Sequence, residues 1–265
     1  MKKGFILLLI MLSLILSSCT WAMSYEDVFA TYDEHLQENQ ETYLERIQFL
    51  NRVSNELIKG VVKVKKSSSN LTSVALGSGL VFDEDALYYY VLTNNHVVYD
   101  PDIEGSSYTV YDFQNNIYNA TYLVGNNDFD LAILRVRKKS YVELNVFVLA
   151  EHRMEINTHI TTMGYPESQL NAINTGMLLD YGPITIDVPS TVINIDFHVM
   201  IADLPVKSGS SGSAAINDNF ELVGIIFAGN FTGGSNIADY AFLIPIDKVK
   251  EFLTENHMPF MEVRS

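Results

Sequence analysis

Lys207-Ser208-Gly209-Ser210-Ser211-Gly212-Ser213-Ala214-Ala215-Ile216-Asn217 is the stretch on which the reading of this chain turns. Six of its first seven residues are Ser or Gly. Apolar, β-branched runs flank it at 191–201 and 221–227, so it reads as a loop between two strands. Glycine permits positive φ and close backbone approach, so the chain can turn sharply at Gly209 and Gly212 and hold the Ser211 hydroxyl on a defined corner. Backbone N–H groups that converge at such a corner suit a developing oxyanion. The same composition also describes an ordinary flexible turn. Ser210, Ser211 and Ser213 all offer hydroxyls, and only the framing glycines single out Ser211. A nucleophile also needs a base and an orienting acid, which must come from elsewhere in the chain.

Outward from that loop, short apolar runs with Gly, Asn, Asp and Pro between them continue for most of the chain. One series lies at 61–64, 73–82, 88–93, 108–113, 117–124 and 131–136; a second lies at 146–149, 159–163, 171–179, 191–201, 222–227 and 241–244. Many short strands with such punctuation indicate an all-β sandwich or barrel. A polar stretch over 151–158 separates the two series, which predicts two small barrels side by side. Residues 247–253 read as a short closing helix with Asp247 as its N-cap. Before the strands, 24–59 is acidic, amide-rich and free of Pro, with apolar residues at helical spacing until Gly60, and is expected to form a helical spacer. No internal repeat is visible in the sequence.

The 265 residues are 48% hydrophobic, enough for a substantial core, and carry 17 basic against 32 acidic side chains, a formal net charge of −15. That balance disfavours binding to nucleic-acid phosphate. Cys19 is the only cysteine, so neither an intrachain disulfide nor a Cys-based zinc site is available. The six histidines show no metal-ligand spacing, and a mechanism without metal or other cofactor is expected. Lys2 and Lys3 precede an apolar run over 5–16, the pattern of a secretory signal. The run ends in Leu16-Ser17-Ser18-Cys19, which resembles the lipobox of bacterial lipoproteins. That resemblance implies lipidation at Cys19 and a protein exported from the cytoplasm and anchored to the membrane.

The first strand series supplies the missing partners. His96 follows an apolar run in Thr93-Asn94-Asn95-His96-Val97-Val98, and Asp130 opens another in Asp130-Leu131-Ala132-Ile133-Leu134. An aspartate at the mouth of an apolar strand is expected to be buried, and a buried carboxylate needs a hydrogen-bond partner. Histidine Nδ1–H and the amides of its own turn both qualify. Imidazole as base, carboxylate as its orienter and hydroxyl as nucleophile then occur in the order His, Asp, Ser.

These segments, together with Gly209-Ser210-Ser211-Gly212, resemble the catalytic motifs of bacterial trypsin-like serine proteases of the HtrA/Deg group. Gly77-Ser78-Gly79-Leu80-Val81 and Ala241-Phe242-Leu243-Ile244-Pro245-Ile246 are similar to that family's flanking strands. The resemblance implies a chymotrypsin-like fold of two six-stranded β-barrels. Its divisions would be a signal peptide with lipobox over 1–19, a helical spacer over 20–58, a first barrel over 59–150, and a second barrel with terminal helix over 151–265. It further implies peptide-bond hydrolysis in proteins or peptides by Ser211, with His96 as base and Asp130 orienting it. Gly209 and Ser211 N–H groups would form the oxyanion hole, and Ile226, Phe227, Ala228 and Gly229 would pair with the substrate backbone. A catalytically inactive relative that binds proteins or peptides is the alternative. The chain departs from the family pattern at Ser210, where Asn is usual, and at Ser213, where Gly is usual; the Ser213 variant resembles the glutamyl endopeptidase branch. Pro205 stands where enzymes selective for Lys or Arg carry Asp, so a small or apolar side chain is expected before the cleaved bond. The chain ends soon after the terminal helix, and no PDZ domain is expected. Nothing in the pattern specifies an oligomer.

Overall fold

The computed structural model describes residues 42–67, 74–99, 105–168, 172–185, 193–231 and 235–260. The signal-like segment, Cys19 and the first part of the spacer lie outside them. Two compact units divide the chain, 1–50 and 51–265. The described part of the first unit is helical, within helix α1 over 42–55. In the second unit a 3-10 turn, Leu57–Gly60, follows, with Leu57 and Ile58 buried.

The described strands of the second unit form two closed antiparallel barrels. The first contains β1 (Val61–Ser67), β2 (Val74–Glu84), β3 (Tyr88–Thr93), β4 (Ser107–Tyr111), β5 (Ile117–Asn126) and β6 (Leu131–Arg137). The second contains β7 (His159–Gly164), β8 (Ala172–Gly182), β9 (Val199–Ala202), β10 (Ala214–Ile216), β11 (Leu222–Gly229) and β12 (Ala241–Pro245). Around the first barrel the order is β1-β2-β3-β6-β5-β4; around the second it is β7-β8-β9-β12-β11-β10, the same path strand for strand. Four of the five irregularities recur too; the fifth, at Val223 between β10 and β11, has no counterpart in the first barrel. A β-bulge interrupts the second strand of each barrel, β2 and β8, and the fifth strand of each, β5 and β11.

This is the expected chymotrypsin-like architecture, with differences in detail. The run at 146–149 is not a strand; it contributes one isolated bridge, Leu149 to Leu222. Its place in the second barrel is taken by β10, which lies inside the Ser/Gly stretch, where the sequence predicts a loop. At only three residues, Ala214-Ala215-Ile216, it is too short to show a period, and its burial identifies it instead. The run at 191–201 shortens to Val199–Ala202. The closing helix, here α3, spans Ile246–Glu255, and its N-cap is Pro245, without a side-chain cap. Asp247 lies in the first turn and forms a two-pronged ion pair with Arg153, at 2.6 and 2.7 Å. A carboxylate there also meets the positive end of the helix dipole.

Each barrel is filled by its inward-facing side chains. In the first, Val62, Val64, Val81, Val91, Leu134 and Val136 form a β-branched and aliphatic core. At its edge the fully buried Asp112 carboxylate accepts from the Tyr118 hydroxyl at 2.8 Å and from the backbone N–H groups of Gln114 and Asn116 at 2.9 Å each. Burial, with that hydrogen bond to Asp112, holds the Tyr118 phenol well above its ordinary pKa. Leu134→Ala empties a fully buried site in this core. It is expected to destabilise the fold by about 2–5 kcal/mol, read as a lower denaturation midpoint with an unchanged denaturant slope.

Candidate active site

Strand register brings the first pair of residues together. β3 and β6 are antiparallel neighbours whose last paired residues are Thr93 and Ala132. The chain leaving β3 therefore meets the chain entering β6, so residues just after Thr93 face residues just before Leu131. A one-turn helix α2, Asn95–Val98, carries His96 at this meeting point. Asp130 precedes β6 with φ of 51°, a left-handed turn that points its side chain back toward α2.

The contact between them is dense. Asp130 Oδ1 accepts from the His96 backbone N–H at 2.9 Å, and Oδ2 lies 2.7 Å from His96 Nδ1. The Asp130 carbonyl accepts from Asn94 Nδ2 at 3.0 Å and from the Asn95 N–H at 3.1 Å. Asp130 is 1% exposed, so both carboxylate oxygens are used where water does not reach them. With an acceptor-only carboxylate facing Nδ1, the imidazole proton sits on Nδ1 and leaves Nε2 with a lone pair.

Ser211 lies in the loop between β9 and β10, and the first barrel holds that loop directly. The Ser78 N–H on β2 donates to the Ser211 carbonyl at 2.7 Å. Gly77 makes the approach feasible: a Cβ there would come within 2.8 Å of the Val97 methyls and 3.1 Å of the Ser211 carbonyl oxygen. Gly212 has φ of 87°, and a Cβ on it would overlap the Ser78 carbonyl oxygen. His96, Ser211, Gly209, Phe227, Ala228 and Gly229 thus line one cleft of about 840 Å³. Ile226, grouped with them in the sequence, is 2% exposed and lies beneath, exchanging backbone bonds with Gly212 and Ser213.

The three neighbouring hydroxyls go to different places. Ser210 is 5% exposed and its Oγ accepts from the Lys207 N–H at 3.2 Å. Ser213 is 3% exposed and its Oγ donates to Ser78 Oγ at 3.2 Å. Only Ser211 lines the cleft, and its Oγ donates to the Phe227 carbonyl at 3.3 Å. That acceptor exists because Phe227 is the extra residue of the β11 bulge, unpaired between Ile226, opposite Leu243, and Ala228, opposite Phe242. Nothing in the sequence marks that bulge.

Every loop carbonyl from Ser208 to Ser211 is bound within the protein, whereas the amides divide. The carbonyls of Ser208, Gly209, Ser210 and Ser211 accept from Glu167 N–H at 2.7 Å, Ser78 Oγ at 2.8 Å, Ser213 N–H at 2.9 Å and Ser78 N–H at 2.7 Å. The N–H groups of Ser210 and Gly212 donate to Lys207 and Ile226 carbonyls. Gly209 and Ser211 N–H have no acceptor among the described residues. In a trans peptide the N–H points opposite to the preceding carbonyl. With the Ser208 and Ser210 carbonyls bound inside the protein, the N–H groups of Gly209 and Ser211 face the other way, on two of the four loop residues, Lys207, Ser208, Gly209 and Ser211, that line the cleft.

The chain matches the trypsin-like peptidase domain over residues 77–225, more than half of its length, and so belongs to the trypsin-like peptidase family. Its fold is also that of solved proteases. The active form of the Rv3671c protease from M. tuberculosis superposes with a TM-score of 0.61 at 22% identity, over 79% of this chain and 88% of that one. The inactive form of Rv3671c gives 0.59 at 21% identity, over 77% and 94%. The HtrA-type protease AlgW with a tripeptide gives 0.61 at 19% identity, over 78% and 62%.

Gly212→Ala places a side chain where positive φ and the Ser78 carbonyl both oppose it. The substitution is expected to cost at least about 2 kcal/mol of stability, measured as a lower unfolding midpoint in thermal or denaturant melts.

Proposed function

We propose that this trypsin-like peptidase is a serine endopeptidase in which Ser211 is the nucleophile, His96 the general base and Asp130 the residue that orients it. The observation that carries the reading is that Ser211, alone among the three loop hydroxyls, shares a cleft with a histidine whose Nδ1 is held by a buried aspartate. Ser211 Oγ rests on the Phe227 carbonyl, and rotation about its Cα–Cβ bond turns it toward Nε2 when substrate enters. Unaligned hydrogen bonds of this kind are common in free enzymes. Ser211 Oγ then attacks the scissile carbonyl carbon while its proton passes to His96 Nε2. The C–O bond forms, the carbonyl electron pair moves to oxygen, and the Gly209 and Ser211 N–H groups bind that oxyanion. Collapse breaks the C–N bond, and His96 returns the proton to the leaving amine. Water, deprotonated by His96, hydrolyses the acyl-enzyme by the same route.

The cleft also bears on selectivity. In a protein of net charge −15, no acidic residue appears among its described lining residues, whereas Val206, Phe227, Phe231 and Phe242 do. Substrates with uncharged, apolar side chains fit that lining better than Lys or Arg. We place the protein outside the cytoplasm, exported and lipid-anchored through Cys19. That part of the reading rests on the lipobox-like sequence alone.

A fluorophosphonate probe is expected to label the folded wild type and Ser213→Ala, but not Ser211→Ala, in a gel-based assay. Labelling that survives in Ser211→Ala sinks the assignment, and an unreactive, folded wild type points to a binding protein on a protease fold. Asp130→Asn is expected to lower kcat on a peptide substrate by about four orders of magnitude with little change in KM, because the imidazole loses its fixed tautomer. Cys19→Ala is expected to abolish incorporation of radiolabelled palmitate and to move the protein out of the membrane fraction.

A further inference from the structure

We infer that two buried hydroxyls, those of Ser213 and Ser78, position the oxyanion loop of this chain, with Ser78 holding the Gly209 carbonyl and Ser213 fixing the direction in which Ser78 donates. The inference deepens the proposed function and rests on residues 209–211 being the oxyanion loop.

A hydroxyl has one proton to give and two lone pairs to fill. Ser78 Oγ uses all three. It accepts from the Tyr165 N–H at 2.9 Å and from Ser213 Oγ at 3.2 Å, which leaves its proton for the Gly209 carbonyl at 2.8 Å. Ser78 is fully buried and Ser213 is 3% exposed, so water does not compete for these bonds. A donor that is itself hydrogen-bonded is polarised by its neighbour and holds its acceptor more firmly.

The acceptor is the informative part. The Gly209–Ser210 peptide sits between the two peptides whose N–H groups face the cleft, so its orientation sets the angle between them. Gly209, at φ of 89°, is of the residue type with the widest backbone freedom, so the peptide that follows it gains most from an anchor. The anchors on the Ser208 and Ser210 carbonyls are backbone groups that any sequence would supply. The anchor on the Gly209 carbonyl is a side chain, and so depends on which residue stands at 78.

The site is built to admit the second hydroxyl. Gly164 lies opposite Ser213, and a Cβ at 164 would overlap Ser213 Oγ. The Ser213 hydroxyl goes to the one atom that orders the Gly209 carbonyl, and neither Ser78 nor Ser213 lines the cleft. Both act through the loop and are positioning residues.

The rate of fluorophosphonate labelling tests this without a known substrate. In that reaction Ser211 Oγ bonds to phosphorus, fluoride leaves, the serine proton passes to His96, and the negative charge that builds on the phosphoryl oxygen falls to the loop N–H groups. Rates are compared for wild type, Ser78→Ala, Ser213→Ala and the double variant, with unfolding midpoints measured alongside. Ser78→Ala is expected to slow labelling by at least about tenfold, a fraction of what loss of a whole oxyanion donor costs. Ser213→Ala is expected to slow it about threefold, the worth of one modest hydrogen bond. The double variant should be no slower than Ser78→Ala, and the pH profile of labelling should keep its wild-type shape, because His96 and Asp130 are untouched. Folded single variants that label at the wild-type rate overturn the inference, as do effects that multiply in the double variant or a changed pH profile. If Ser78→Ala does not fold, Ser213→Ala decides alone by the same criteria. An unlabelled wild type overturns the proposed function itself and the inference with it, whereas a reactive wild type with unaffected variants overturns only the inference.

Discussion

The 2.7 Å hydrogen bond from the Ser78 N–H to the Ser211 carbonyl joins two closed barrels at the point where their loops carry polar chemistry. A closed barrel has no free edge, so it cannot bind its neighbour by extending a sheet. Contact must instead come from backbone that overruns its sheet partner. Here β2 supplies it, since Val74–Gly79 pair with β1 but not with β3, and Gly77 has no side chain to hold the barrels apart. The nucleophile loop is thereby fixed relative to α2 by backbone, which is stiffer than any pairing of long side chains.

Within the first barrel the demanding element is the Asp130 carboxylate. Moving an ion of that size out of water costs several kcal/mol even after relaxation, and the offset comes from two donors on His96, the ring Nδ1–H and the backbone N–H, the second of which costs no side-chain entropy. The residue that receives orientation from Asp130 thus also supplies its anchors. The His96 ring keeps 24% of its surface exposed, enough to meet a ligand in the cleft while its rear nitrogen stays protected.

Much of this was legible in the sequence, and the reasons are local. Tyr88–Thr93 appears at its expected limits because Thr93 ends an apolar run at two asparagines. His96 and Asp130 stand out because each follows or precedes a strand whose pattern is plain, and Ser211 because Gly209 and Gly212 frame it. Other features were hidden. β10 is only three apolar residues, and 146–149 has strand composition but meets β11 only at its first residue, Leu222. The Phe227 bulge depends on register with Leu243 and Phe242, a relation between distant residues that no local pattern encodes. The fates of Ser210 and Ser213 were equally invisible, since composition gives three hydroxyls and only packing decides which of them meets solvent.

The two barrels follow one strand path and carry bulges at the same two places, yet no repeat is visible along the chain. Barrel closure constrains which residues point inward and where a strand must bend, and any apolar residue of roughly the right volume satisfies the first demand. Symmetry can therefore persist in backbone geometry after it has vanished from side-chain identity. One half has used that latitude for an imidazole and a carboxylate, the other for a loop whose carbonyls are bound and two of whose amides are left free among the described residues. A fold that is twofold in its scaffold is thus free to be wholly asymmetric in its chemistry.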